Sequence, residues 1–165
     1  MILFVCLINM TPSFNSLSTF YLTDVLKFTS EDLSDFSTFG TIFYMLGLLC
    51  YSTYFVNTNQ KRFFVITNFI LFFISLSYFL VVFGVLQKFN IDIKIFCLIS
   101  QGFSSFVSEI NFMPILTIWC AMSPNKLEAT SITFFTGIMN LSNNLSNYFG
   151  SFVMWIMAID YKNYE

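Results

Sequence analysis

The sequence contains no histidine and few charged side chains. Its 165 residues include 7 Lys and Arg and 9 Asp and Glu, together 10% of the chain, against about 25% in an ordinary soluble domain. Without His, the usual Ser-His-Asp and Cys-His catalytic groups and the His-containing zinc sites are excluded. So few basic residues leave no basic patch for nucleic acid, and a hydrophobic content of 56% excludes a disordered chain. The composition predicts an all-α integral membrane protein with several spans, and not an enzyme.

The charges cluster between long stretches that lack them. Four stretches carry no charged side chain and a fifth carries a single acid, Glu109: residues 1–23, 36–60, 63–87, 129–159 and 95–125. A helix that crosses the hydrocarbon core needs about 20 mostly apolar residues. The sequence therefore predicts five transmembrane helices, near residues 1–22, 36–56, 63–87, 96–122 and 129–159.

The loop between the second and third predicted spans holds Lys61 and Arg62 side by side. Basic residues favour the cytoplasmic side of a membrane. This dense basic pair favours an orientation with that loop and the N-terminus inside, and with the C-terminus outside. A count of all basic loop residues does not decide between the two orientations, because three would lie inside and four outside.

The fourth predicted span carries the acid, Glu109, beside a helix face formed by Gln101, Ser104, Ser105 and Ser108. An ionised carboxylate near the bilayer centre costs about 2.5–3.5 kcal/mol on insertion scales. It must therefore face protein or water, accept hydrogen bonds, or be protonated. Two interpretations stay open. Glu109 couples a proton or orients a substrate, with Gln101 as a further binding candidate, or it is a buried carboxyl that fixes helix packing.

The fifth predicted span carries the clearest polar stripe, at steps of three and four residues: Thr133, Thr136, Asn140, Asn143, Asn144 and Asn147. An amide offers donors and an acceptor, which suits a heterocycle with mixed hydrogen-bonding edges. Asn140 and Asn144 are therefore predicted to contact a substrate. The alternative is an asparagine ladder between helices. Gly137 and Gly150 are predicted to be points of close helix approach.

The first and third predicted spans differ in polarity. The first contains Asn9, Ser13 and Ser16, and Pro12 is predicted to kink it. One interpretation is a bending helix that lines a cavity, with Ser16 as a binding candidate; the other is ordinary packing of small polar residues. The third span, 63–87, is nearly uniformly apolar and is predicted to be a peripheral, lipid-facing helix.

All four cysteines fall inside predicted spans, at Cys6, Cys50, Cys97 and Cys120. They are predicted to be small packing residues rather than disulfide partners or metal ligands. The sequence predicts no metal site and no cofactor.

An ordered set of short motifs runs along the chain. The later ones are Phe112-Met113-Pro114, then Pro124 followed by Glu128-Ala129-Thr130, then Asn140, Ser146 and Gly150. The earlier ones are Pro12, Tyr21, Leu26, Phe28, Gly40, Gly47, Tyr51 and Arg62. In this order and spacing the chain resembles the folate–biopterin transporter family of the major facilitator superfamily over nearly its whole length.

The resemblance implies that the five spans correspond to spans seven to eleven of a fold of about twelve. Residues 1–165 would then be a partial C-terminal half. Members of the family move folates and pterins by alternating access. In the superfamily, spans seven, eight, ten and eleven line the central cavity, the ninth is peripheral, and the loop after the eighth is cytoplasmic. The implied partners are the lipid bilayer, a small-molecule substrate and the missing N-terminal half; which membrane is involved does not follow.

Two departures from the family pattern bear on function. Where the family often carries an acid in the seventh span, this chain has Asn15-Ser16, and where a basic residue often precedes the late proline motif it has Ala121. A folate has a carboxylate tail that such a base would pair with, so a pterin or a related metabolite is an alternative substrate. A truncated or degenerate membrane remnant, or an interaction subunit that does not transport, is the alternative function.

Overall fold

The computed structural model describes residues 2–89, 92–124 and 127–157, and most of these residues are helical. The α-helices are α1 (Ile2–Asn9), α2 (Asn15–Phe20), α3 (Ser30–Cys50), α4 (Gln60–Val82), α5 (Val85–Lys88), α6 (Ile93–Met122) and α7 (Glu128–Ile156). Two of them, α2 and α3, continue into single π-helical turns, Tyr21–Val25 and Tyr51–Phe55. The all-α class predicted from the sequence is confirmed.

Within the described part of the chain, three helical segments are long and apolar enough to cross a membrane: Ser30–Phe55, Gln60–Val82 and Ile93–Met122. These are α3 with its π-helical turn, α4 and α6. Helix α7 matches them in length, with 29 residues, but its Asn, Ser and Thr side chains make it less apolar.

The chain divides into two compact units. One contains α1, α2 and α7, in Met1–Thr29 and Met122–Glu165, and the other contains α3 to α6, in Ser30–Ala121. Each unit is described by itself below.

In the second unit, α3 and α6 run parallel. At their N-terminal ends, the Lys94 ammonium lies 2.5 Å from the Asp32 carboxylate. Near their C-terminal ends, the buried Tyr51 hydroxyl lies 3.5 Å from the Thr117 hydroxyl. Two spans separated by one other span must run in the same direction, so this arrangement agrees with alternating membrane crossings.

Glycines bring α3 and α6 unusually close together. A Cβ atom built at Gly47 would lie 2.7 Å from the backbone oxygen of Phe106, which is too short for a real contact. A Cβ at Gly102 would lie 2.8 Å from the ring of Phe39. Small residues allow two backbones to approach this closely. In a membrane, where lipid tails are as apolar as the side chains, helices associate through such close van der Waals packing.

Helix α4 packs antiparallel to α6, because Thr67 near its start contacts Asn111 and Ser77 near its end contacts Ser100. The Asn59 side chain accepts a hydrogen bond from the Arg62 N–H at the start of α4. Gly84, with φ 64°, provides the left-handed residue that ends it. The predicted span 63–87 therefore ends earlier, at Val82, and the short α5 follows.

The first unit differs most from the sequence prediction, which placed one kinked span near residues 1–22. Helix α1 ends at Asn9 after 8 residues, a length of about 12 Å. Residues 10–14 are not helical, and α2 begins at Asn15. Pro12 lies inside this interruption, where it has no N–H to donate. We call residues 10–14 the helix break.

We expect Gly47→Ala to destabilise the protein by about 1–3 kcal/mol. The added methyl group would overlap the Phe106 carbonyl and push α3 away from α6. Gly137 in α7 is the matched control, since a Cβ there meets nothing within 4 Å. Gly137→Ala should leave stability unchanged or raise it by up to about 1 kcal/mol, because Ala favours helix. Thermal unfolding of the detergent-purified protein measures both, and equal melting temperatures for the two variants would contradict the assigned contact.

Candidate functional site

Glu109 is buried where α3 meets α6, with 2% of its surface exposed. A Cβ at Gly47 would lie 3.3 Å from the Glu109 Cβ, so the acid lies directly against α3. Its Oε1 atom has no hydrogen-bond partner among the described residues. The acid therefore faces protein and not lipid.

This environment suits a carboxyl group that can change its protonation state. The ion pair recorded among the described residues joins Lys94 to Asp32, and no described cation pairs with Glu109. A buried carboxylate without a cation is costly. A neutral carboxyl group is cheaper to bury and can both donate and accept a hydrogen bond.

Gln101 lies in another part of the α3–α6 contact. A Cβ at Gly40 would lie 3.7 Å from the Gln101 side chain and 3.1 Å from the Ser105 Oγ. The Tyr78 hydroxyl of α4 donates to the Gln101 Oε1 at 3.4 Å. Gln101 precedes Glu109 by eight residues, a rise of about 12 Å along the helix. The structure therefore does not bring these two candidates together.

A polar contact that the sequence reasoning missed joins α4 to α6. The Asn111 Oδ1 accepts hydrogen bonds from the Thr67 hydroxyl at 2.6 Å and from the Asn68 amide at 3.2 Å. Thr67 is buried. The sequence signal for this contact was the adjacent polar pair Thr67-Asn68 within an otherwise apolar stretch. Helix α4 is thus fixed to α6 by hydrogen bonds on one side while large apolar side chains such as Phe73 are exposed on others.

Helix α7 presents three different faces, given the rotation of about 100° per residue. The face toward α1 is buried and mostly small: Phe135, Ser142, Ser146 and Gly150. An exposed apolar face includes Leu141, Phe152 and Trp155. The third face carries the exposed asparagines Asn140 and Asn144 and lies away from α1, whereas the exposed Asn143 lies beside the face toward α1. Asn140 and Asn144 therefore do not form a ladder with α1.

The helix break packs on the small-residue face of α7. The Ser146 hydroxyl donates to the Thr11 carbonyl, and the Ser13 N–H donates to the Ser146 carbonyl at 3.2 Å. The Ser13 hydroxyl also donates to the Asn147 Oδ1 at 2.9 Å. A Cβ at Gly150 would overlap the Ser13 carbonyl, so only glycine fits there. Of the two predicted close-approach glycines, Gly150 is one and Gly137 is not.

The remaining candidates add no further site. Ser16 lies in α2, and its side chain is outside the part of the chain that the structure describes. The four cysteines are free thiols, and Cys97 is buried. Among residues 2–89, 92–124 and 127–157, no group of three or more Cys, Asp and Glu side chains could hold a metal ion.

Comparisons with known proteins give one family and one curated relative. The BT1 family, that of the folate–biopterin transporters, matches residues 1–165. Folate transporter 1 of Plasmodium falciparum (isolate 3D7) is 22% identical over 167 residues, covering 99% of this chain and 32% of the relative. The chain thus spans about a third of the length of that relative. No solved structure matches the chain.

We expect Ser146→Ala to lower the stability of the protein by about 1 kcal/mol, because it leaves the Thr11 carbonyl without its partner on α7. Ser151→Ala is the matched control, since the exposed Ser151 hydroxyl bonds only to a carbonyl of its own helix, that of Asn147. Thermal unfolding in detergent compares the two. Equal losses in both variants would show that the contact with the helix break contributes nothing.

Proposed function

The chain belongs to the BT1 family, and from this membership we propose that it works as part of a longer transporter for a folate, a pterin or a related metabolite. It is a multi-pass integral membrane protein, in keeping with its long apolar helices. Transport proceeds by alternating access, in which two halves rock around a midplane binding site. This chain supplies part of the C-terminal half.

The observation that supports substrate binding most strongly is the exposed amide face of α7. Asn140 and Asn144 lie away from α1 and are exposed. Each amide has two donors and one acceptor, so the row can match the alternating donors and acceptors on the edge of a heterocycle. Asn140 and Asn144, one turn apart, contact the substrate in this proposal. Gln101 and Ser16 remain further candidates for polar contacts.

Glu109 has the coupling role in this proposal. It is an acid within a helix long and apolar enough to span the membrane, and it faces protein with no cation of the described residues paired to it. A group in this position changes the charge of its surroundings when it gains or loses a proton. Ionisable residues inside membranes are by default functional candidates of this kind.

The function is tested by uptake. The protein, expressed with any coding sequence that precedes or follows these 165 residues, is placed in a host that lacks folate and pterin uptake. Accumulation of labelled folate or pterin supports the proposal, and their ratio identifies the preferred substrate. A protein that inserts into the membrane and moves neither compound favours the alternative, a remnant or interaction subunit that does not transport.

We expect Asn140→Ala and Asn144→Ala each to raise the KM of uptake about tenfold, the effect of one lost hydrogen bond of roughly 1.4 kcal/mol. Leu141→Ala is the control, because Leu141 is exposed on the neighbouring apolar face. Uptake kinetics and thermal unfolding are measured together. Normal uptake with a lower melting temperature in the Asn140 variant would instead support the packing interpretation.

We expect Glu109→Gln to abolish the pH dependence of uptake, because glutamine keeps the shape of the side chain and cannot take up or release a proton. Glu31→Gln, a change of an exposed acid in the first turn of α3, should leave the pH profile intact. Uptake measured from pH 5 to pH 8 compares them. If the Glu109 variant keeps both the wild-type rate and the wild-type profile, the coupling role is wrong.

A further inference from the structure

We propose that Asn147 of α7 is a further substrate contact and that Ser13 of the helix break positions it. The Ser13 hydroxyl donates to the amide oxygen of Asn147, so the amide presents its NH₂ group alone. Asn147 therefore binds an acceptor oxygen of the substrate, from a carboxylate or from a ring carbonyl. This role rests on the transport function proposed above and extends the row formed by Asn140 and Asn144.

Ser13 is fixed to α7 through its backbone as well as its side chain. Its N–H donates to the Ser146 carbonyl at 3.2 Å, and its carbonyl fills the space that a side chain at Gly150 would need. Its hydroxyl lies 2.9 Å from the Asn147 Oδ1. Because the backbone on both sides of the Cα atom is held, the hydroxyl has a defined place beside Asn147.

The contact with Ser13 decides which way the Asn147 amide points. An amide has one acceptor oxygen and an NH₂ group with two donors. The oxygen is taken by Ser13, and no described residue accepts a hydrogen bond from the NH₂ group. An amide donor left without a partner in apolar surroundings is costly. The exposed NH₂ group of Asn147 is therefore suited to an acceptor that comes from outside these helices.

Asn147 belongs to the same row as the two proposed contacts. It follows Asn140 by seven residues, which at about 100° per residue places the two almost in line, about 10 Å apart along α7. Asn144 lies between them, and all three are exposed. Helices α1, α2 and α7 contain no Lys or Arg, so an acceptor oxygen at this row is bound by neutral donors.

Asn147→Asp in the full-length protein tests the contact, because it replaces the NH₂ group by an acceptor oxygen with little change of shape. Uptake is compared for folate, which has a carboxylate tail, for pterin, which has the ring carbonyl alone, and for an amino analogue of pterin, in which an amino group replaces the ring oxygen. If Asn147 binds the carboxylate, uptake of folate relative to pterin should fall about tenfold. If it binds the ring carbonyl, uptake of pterin relative to the amino analogue should fall by about as much.

These ratios separate a lost contact from a lost fold. A variant that folds poorly lowers the uptake of every compound and leaves the ratios at their wild-type values. Asn147→Leu is the second variant, because leucine has a similar size and no hydrogen-bonding group. It should lower the same ratio as Asn147→Asp.

Ser13→Ala tests the positioning role. Without the hydroxyl the Asn147 amide can turn, and the same ratio should fall about twofold if half of the amides then present their oxygen. Ser13→Thr keeps a hydroxyl and should restore the wild-type ratio. Thr11→Ala is the matched control, since Thr11 lies in the same helix break and its hydroxyl donates to the Ile8 carbonyl instead of to α7.

The outcomes separate this inference from the proposed function. If Asn140→Ala raises the KM while both Asn147 variants keep the wild-type ratios, the Asn147 contact is overturned and the transport function stands. A ratio that falls in Asn147→Asp and not in Ser13→Ala overturns the role of Ser13. If the wild-type protein moves none of the compounds, the transport function fails and the contact fails with it. A ratio that falls in Asn147→Asp and Ser13→Ala and recovers in Ser13→Thr supports both roles.

Discussion

The hydrocarbon core of a membrane offers no hydrogen bonds, so every backbone polar group there must find a partner within the protein. Long helices such as α4 and α6 meet this requirement within themselves. The helix break at residues 10–14 interrupts the helical pattern, and its Thr11 carbonyl and Ser13 N–H bond to α7 instead. Ser146 donates to the Thr11 carbonyl and accepts from the Ser13 N–H. Ser146 on the buried face of α7 is therefore explained by the backbone groups that it satisfies.

The same requirement gives the glycines their different roles. Gly47 and Gly150 lie where a neighbouring backbone carbonyl occupies the space of a side chain, whereas Gly137 faces open space. All three lie in helices, where glycine costs about 1 kcal/mol relative to alanine. At Gly47 and Gly150 that cost is offset by close packing. Nothing in the structure offsets it at Gly137.

Features that depend on local composition could be predicted from the sequence. Charge-free stretches indicated the long apolar helices, and Thr and Asn at steps of three and four indicated the polar face of α7. Contacts between distant residues could not be predicted in this way. Pro12 indicated a kink, but whether the helix bends or stops depends on partners more than 130 residues away, such as Ser146. The Thr67–Asn111 contact also depends on how helices pair.

The polar groups within the helices are of two kinds, and the difference suggests separate roles. The exposed amides of Asn140 and Asn144 keep their donors and acceptors at any physiological pH, so they can recognise a ligand without responding to protons. Glu109 differs in both respects. Its side chain is buried, and its charge depends on whether the carboxyl group carries a proton. In the proposed function, the two amides contact the substrate and the acid couples a proton. The sequence placed both kinds of residue in neighbouring polar stretches, and the structure distinguishes them by burial.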